Sequence, residues 1–87
     1  MKFVVYSKPM CPNCEKAKAL LTLKKKEFQV VHVDVGQVKN EGEMYISPED
    51  LKLKYPGVSS VPQIVLDDKL IGGYTQLDIF FKNMYYM

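Results

Sequence analysis

The stretch Lys8-Pro9-Met10-Cys11-Pro12-Asn13-Cys14 decides how this chain is read, because it holds both cysteines at the junction of an apolar run and a Lys/Ala/Leu-rich one. A CxxC pair alone is ambiguous between redox chemistry, half of a zinc site and a structural disulfide. Its surroundings narrow the choice. Proline is favoured at the first helical position, where its missing N–H is not needed. Pro12 therefore makes Cys11 the N-cap of a helix running to about Lys25. On that helix Cys14, Ala17, Leu20 and Leu21 share one face of a 3.6-residue period, with Glu15, Lys16 and Lys18 off it. Cys14 starts the buried face and Cys11 sits at the exposed tip.

Before the pair, residues 2–6 read as a short strand buried on both faces, and Ser7 to Met10 as a loop. After the helix, Phe28 to Val35 is a β-branched run that predicts a second strand. Two strands joined by such a helix form a right-handed βαβ unit with parallel strands. Residues 36–46 show no periodicity and are expected to be a loop, long enough to be either functional or mobile.

Ser47-Pro48-Glu49-Asp50 is an N-terminal capping pattern that opens a short helix to about Tyr55, and Pro56-Gly57 closes it. Gln63 to Leu66 predicts a third strand, turned by Asp67-Asp68 into a fourth at Lys69 to Ile71. Thr75-Gln76-Leu77-Asp78 is another capping pattern, followed by Leu77, Phe80, Phe81 and Met84 at helical spacing on a core-facing stripe. The expectation is one α/β domain spanning 1–87, a four-stranded mixed sheet covered by three helices. A CxxC at the first strand-to-helix turn of that pattern is the thioredoxin-like redox signature.

Composition excludes several classes. A chain of 87 residues buries about 60–65% of its unfolded surface, and a 47% apolar fraction with six tyrosines and four phenylalanines suffices for one core without disulfides. No apolar run approaches the roughly 20 residues of a membrane span, and Phe3-Val4-Val5-Tyr6 is too short for a signal-peptide core. A soluble protein of a reducing cytosol is expected, where a CxxC is catalytic or metal-binding rather than structural. The net charge of +2 is too small and too evenly spread to argue for nucleic acid. Lys24-Lys25-Lys26 falls where lysines complement a helix C-terminus.

Thiol–disulfide exchange needs one thiolate exposed enough to attack and a second thiol close enough to resolve the mixed disulfide. A helix N-terminus or a nearby lysine favours the thiolate. Cys11 has both, first-turn amides beneath its sulfur and Lys8 in the preceding loop, whereas Cys14 lacks that support and is placed to resolve. Zinc is the rival reading. Two thiolates supply half a tetrahedral site, and the other soft ligand, His32, lies mid-strand, which leaves a site shared between two chains. Val61-Pro62 reads in two ways: a proline at a strand start, or a cis peptide that turns the chain beside the cysteines and exposes the Val61 backbone.

Tyr6-Ser7-Lys8 with Cys11-Pro12-Asn13-Cys14, then Ser60-Val61-Pro62-Gln63-Ile64, then Ile71-Gly72-Gly73-Tyr74 with Leu77, resembles the dithiol glutaredoxins along nearly the whole chain. Within that family, residues 20–25, the long second-strand loop and Gly72-Gly73-Tyr74-Thr75-Gln76-Leu77 look most like the glutaredoxins of large tailed bacteriophages. The resemblance implies a thioredoxin-like fold with sheet order 2-1-3-4 and a cis Val61-Pro62 bond. It also implies glutathione as co-substrate, with no tightly bound cofactor and no metal.

By position, Cys11 matches the nucleophile and Cys14 the resolving cysteine. Lys8 matches the lysine that receives the glycine carboxylate of glutathione, and Val61 the residue whose backbone pairs with its cysteine. Pro12, Asn13, Pro62 and Gly73 fall in the groove. The Thr75 and Gln76 amides match those that hold the γ-glutamyl carboxylate, as exposed helix amides favour an anion.

Departures stand beside the matches. Asn13 replaces a common tyrosine, Gln76 a common aspartate and Ser59 a common basic residue. With no arginine in the chain, bidentate capture of a carboxylate is absent. Weaker or less selective glutathione binding than in typical members is therefore expected. The function implied is that of a monomeric cytoplasmic oxidoreductase (host cytoplasm if of phage origin) that reduces protein disulfides and glutathione mixed disulfides. Ribonucleotide reductase is a family-suggested partner. The alternatives are a thioredoxin-like donor reduced by a flavoprotein reductase, and a non-catalytic zinc-bridged or groove-binding module.

Overall fold

A computed structural model describes residues 1–85. The strands are β1 (Phe3–Ser7), β2 (Phe28–Val33), β3 (Met44–Ile46), β4 (Gln63–Leu66) and β5 (Lys69–Gly72). The helices are α1 (Pro12–Leu23), α2 (Pro48–Lys54) and α3 (Tyr74–Tyr85). One mixed sheet runs in the order β3-β2-β1-β4-β5. The parallel β1–β2 pair aligns Phe3 with Phe28 and Ser7 with His32, and β4 runs antiparallel on the other side of β1.

The expected four-stranded order survives as the inner β2-β1-β4-β5 series, but the sheet has a fifth strand. It lies inside the segment expected to be a loop. Met44, Tyr45 and Ile46 pair in parallel with Val31, His32 and Val33. Three residues are too few to show a periodic pattern, and what makes them a strand is the free edge of β2. Residues 34–43 before it are tied down: the Gln37 amide donates to the Val33 carbonyl, and the Asn40 N–H donates to the Tyr45 hydroxyl at 2.7 Å.

Helix boundaries follow their caps. Helix α1 ends at Leu23, not Lys25, because Lys25 takes a left-handed conformation (φ 58°) and the Lys26 N–H donates back to the Leu21 carbonyl. This is a Schellman-type stop with lysine where glycine is usual. Strand β2 stops at Val33, leaving Val35 more than half exposed. Ser47 caps α2 as expected, its Oγ accepting from the Asp50 N–H.

Helix α3 begins one residue before the expected cap. Gly73, not Thr75, is the cap, since the Leu77 N–H donates to the Gly73 carbonyl. Asp67 and Asp68 both have positive φ, the signature of a tight two-residue hairpin between β4 and β5.

The sheet has two packed faces. On one, Phe3, Val5 and Ile64 meet Ala17 and Leu21 of α1 and Leu77 and Phe81 of α3. On the other, Tyr6, Val33 and Val65 meet Leu51 of α2 and Val58. Met84, expected on the core stripe of α3, is instead 40% exposed, and the α3 residues buried in this core are Leu77 and Phe81. Both faces close at the C-terminal end of β1, where the chain leaves the core at Ser7 and enters the cysteine loop.

Candidate active site

The site starts from the end of a buried strand. Val5, Tyr6 and Ser7 are all buried, and the next residues, Lys8 to Met10, are exposed on the loop that delivers Cys11 to the start of α1. Cys11 is the N-cap, in extended conformation, and its Sγ accepts from the Cys14 N–H at 3.2 Å. Cys14 is fully buried while Cys11 is half-buried, so the asymmetry expected from helical position holds in space. The two are joined as a disulfide, with Cα atoms 5.2 Å apart.

Opposite Cys11 stands the loop before β4. The Val61–Pro62 peptide is cis, which decides between the two sequence readings of that proline. Cys11 Sγ lies 3.8 Å from the Val61 carbonyl oxygen. In the dithiol form a Cys11 S–H would donate to that oxygen, so the backbone of Val61 is within reach of anything bound to the sulfur.

Pro62 is buried and leads to the double glycine. A Cβ on Gly73 would come within 3.5 Å of the Pro62 carbonyl oxygen, and one on Gly72 (φ +127°) would lie 2.9 Å from Gln76 Cγ. Gly72 and Gly73 thus let the start of α3 press against the proline loop. Gln76 occupies the third position of α3 and turns back, its Oε1 accepting from the Gly73 N–H at 3.0 Å. That is half of a capping box. Thr75 and Gln76 lie exposed on the first turn.

Two grooves flank Cys11 and share Lys8. One of about 610 Å³ is lined by the Lys8–Pro12 loop with Glu15, Lys18 and His32; the other, of about 210 Å³, runs from Lys8 and Val61 between β2 and α2. The structure therefore brings together Cys11, Lys8, Val61, Pro62 and Gly73, with Thr75 and Gln76 beyond the glycines. Asn13 is exposed one residue before Cys14 on the first turn of α1.

Lys52 also lines the smaller groove, with Ser59. Nothing in its local sequence marks it, because the groove forms only when α2 packs on β2. His32 faces Glu43 at 3.4 Å and stacks against Tyr45. Among the described residues no group of three or more His, Cys, Asp or Glu side chains is placed to hold a metal ion.

Behind the site, burial pushes the Tyr6 hydroxyl above its usual range, with the hydrogen bond from Tyr55 acting the other way. Burial also raises Tyr55. The neutral phenol pair thus closes the second core beneath the cysteine loop.

A CxxC disulfide at the start of the first helix, facing a cis-proline loop across a mixed sheet, defines a thiol–disulfide oxidoreductase of the thioredoxin-like fold. The glutaredoxin family profile matches residues 3–71. Glutaredoxin 3 of Escherichia coli is 40% identical over 73 residues, 84% of this chain and 77% of that protein. The structure of reduced E. coli glutaredoxin superposes with a TM-score of 0.74 at 32% identity, covering all of both chains. A buckwheat glutaredoxin–glutathione complex shares the fold at a TM-score of 0.68 and 22% identity, covering 93% of this chain and 68% of that one. The chain belongs to the glutaredoxin family, as a dithiol member and a glutathione-dependent oxidoreductase.

Proposed function

We propose that this single-domain glutaredoxin reduces protein disulfides and glutathione mixed disulfides, with Cys11 as the attacking and Cys14 as the resolving thiol. The observation that carries the assignment is the asymmetry of the pair. The half-buried Cys11 sulfur receives a first-turn helix amide, and Cys14 is fully buried behind it.

In the reaction the Cys11 thiolate attacks one substrate sulfur, so that a Cys11–sulfur bond forms and the substrate S–S bond breaks. The departing thiolate takes a proton from solvent. Cys14, deprotonated, then attacks Cys11 Sγ, releasing the second substrate thiol and leaving the Cys11–Cys14 disulfide. One glutathione thiolate opens that disulfide to a mixed disulfide on Cys11. A second releases glutathione disulfide and restores both thiols, so two electrons pass per cycle.

Glutathione lies, on this reading, with its cysteine against the Val61 backbone and its glycine carboxylate toward Lys8. Its γ-glutamyl carboxylate lies at the Thr75 and Gln76 amides, past Pro62 and Gly73; Pro12 and Asn13 flank the sulfur. The support is positional: Val61 is beside Cys11, and the double glycine brings the start of α3 against the proline loop. Gln76 is a neutral amide, with its Oε1 already accepting from the Gly73 N–H, so it offers no charge to the γ-glutamyl amine.

A cytoplasmic monomer with ribonucleotide reductase among its targets is the finer reading that the family suggests. Likeness to phage glutaredoxins rests on residues 20–25, the second-strand loop and residues 72–77. Among the described residues no helix is long and apolar enough to cross a membrane. The test is reduction of a glutathionylated peptide by glutathione plus its reductase, set against thioredoxin reductase as the electron source. Turnover with the flavoprotein alone would replace this reading by the thioredoxin-like one.

A further inference from the structure

The two grooves beside Cys11 lie on opposite faces of the sheet. His32 and Val33 are consecutive residues of β2, so their side chains point to opposite sides. His32 lines the larger groove and Val33 the smaller, while Lys8 lines both. The glutathione reading above uses the Val61 side and leaves the larger groove without a role. Charge in that groove is matched close by: Lys18 pairs with Glu15, and His32 faces Glu43 at 3.4 Å. Around Cys11 its lining is apolar, made by Pro9, Met10 and Pro12. Met10 stands out among these. It is 99% exposed, the most exposed large apolar residue among those described. Its backbone is left-handed (φ 55°), a conformation that residues other than glycine seldom take. Backbone strain of this kind tends to persist at functional positions.

We propose that Met10 is a specificity-determining residue for polypeptide substrates: with the larger groove it takes an uncharged, apolar side chain that neighbours the substrate protein's cysteine. The assignment rests on the function proposed above, in which one half of a mixed disulfide is glutathione and the other a protein. A scattered exposed apolar side chain is ordinary on a protein surface. Met10, however, is next in the chain to Cys11, so a polypeptide joined to that sulfur through a disulfide covers it. With the glutathione half against Val61, the face of the sheet that His32 occupies is left for the polypeptide half. The matched charges there give an ion no unpaired partner beyond Lys8, and a charged side chain set against Pro9, Met10 and Pro12 would lose hydration without recompense. An apolar one gains by leaving water. Methionine is unbranched and polarisable, so it adapts its shape to different apolar neighbours. A reductase that acts on several proteins needs that tolerance.

The test is single-turnover reduction, by pre-reduced protein, of three glutathionylated peptides that differ in the residue beside the cysteine: leucine, glutamine or glutamate. In each, the Cys11 thiolate bonds to the glutathione sulfur, the S–S bond breaks, and the peptide thiolate leaves and takes a proton from solvent. The leucine peptide should react about threefold to tenfold faster than the glutamine one, the gain from partly burying one aliphatic side chain. Met10→Gln, which keeps the side-chain length, should remove that preference, and Met10→Leu should keep it. Glutathione disulfide, which carries no such side chain, should react equally with all three proteins. No preference in the unaltered protein, a preference that survives Met10→Gln, or a glutamate peptide that outruns the leucine one would overturn the assignment while leaving the proposed function intact. An equal loss on glutathione disulfide would also overturn it, by showing that Met10 acts on Cys11 itself. No reaction of the unaltered protein with any of the peptides would overturn the proposed function, and the Met10 assignment with it.

Discussion

Two helices begin at the active site, and they begin differently. Helix α1 is capped by a side chain that is itself the reactive group: Cys11 Sγ accepts the Cys14 amide. Helix α3 is capped by Gly73, which has no side chain to offer, and Gln76 reaches back to occupy the Gly73 amide instead. At α1 the partial positive charge of the helix start is directed onto a sulfur. At α3 the cap is drawn backward, leaving the exposed first turn facing solvent past the double glycine. On the function proposed above, one helix start activates a covalent partner and the other is left to hold a non-covalent anion.

The largest effect should come from breaking the first of these. Cys11→Ser is expected to abolish turnover with every disulfide substrate, whereas Cys14→Ser should keep activity on glutathione mixed disulfides and lose it on protein disulfides. Equal losses for both variants on the mixed-disulfide assay would remove the distinction between the two thiols.

At the second helix start, Gly72→Ala should cost about 1–3 kcal/mol, because a side chain is forced into a backbone conformation that suits glycine and its Cβ would lie 2.9 Å from Gln76 Cγ. Thermal unfolding would read this. A melting temperature equal to that of the unaltered protein would show that Gly72 is not needed to seat α3.

Gln76→Ala removes one hydrogen bond and should cost only about 0.5–1 kcal/mol. It should raise the glutathione requirement modestly and leave the reactivity of Cys11 toward a small alkylating agent unchanged. A change in that reactivity would mean that the two helix starts are coupled.

The smallest effect is expected where no helix start is involved. A hydrogen bond from Lys39 holds the Asp34 carboxyl below its usual range, and one from Asn40 does the same for Glu43. Both groups have folded-state values depressed below their ordinary ones, so their contribution is complete above the ordinary carboxylate range. It is lost as pH falls through the depressed values. Amide exchange should therefore rise first in residues 34–46 on acidification, while the Cys14 and Gly73 amides, bonded to a sulfur and a neutral amide, stay protected. Simultaneous loss at all three places would show that the segment and the site open as one unit.

Much of this was legible in the residues. Pro12 after Cys11 places a cap, and the spacing of Cys14, Ala17 and Leu21 buries one thiol but not the other; both are local consequences of helix geometry. β1 and β2 were legible from their β-branched runs, and the β4–β5 pair from the Asp67-Asp68 turn that follows the apolar run of β4. β3 was not, because three residues acquire their conformation from the unpaired edge of β2. The start of α3 was displaced because Thr75 resembles a cap, while Gln76 bonding to Gly73 sets the cap two residues earlier.

The sequence by itself determined the setting of Cys11: a thiol, a helix start and a second, buried thiol one turn away are set by neighbours in the chain. It also determined the family, through three motifs in order. Only the tertiary structure decided what stands around that sulfur. The Val61 carbonyl comes from 50 positions away, and Lys52 enters the groove beside Lys8 because α2 packs its buried Leu51 against the sheet. Helix starts are written in local sequence because backbone geometry makes them; a groove between separate elements exists only once burial has fixed how they pack.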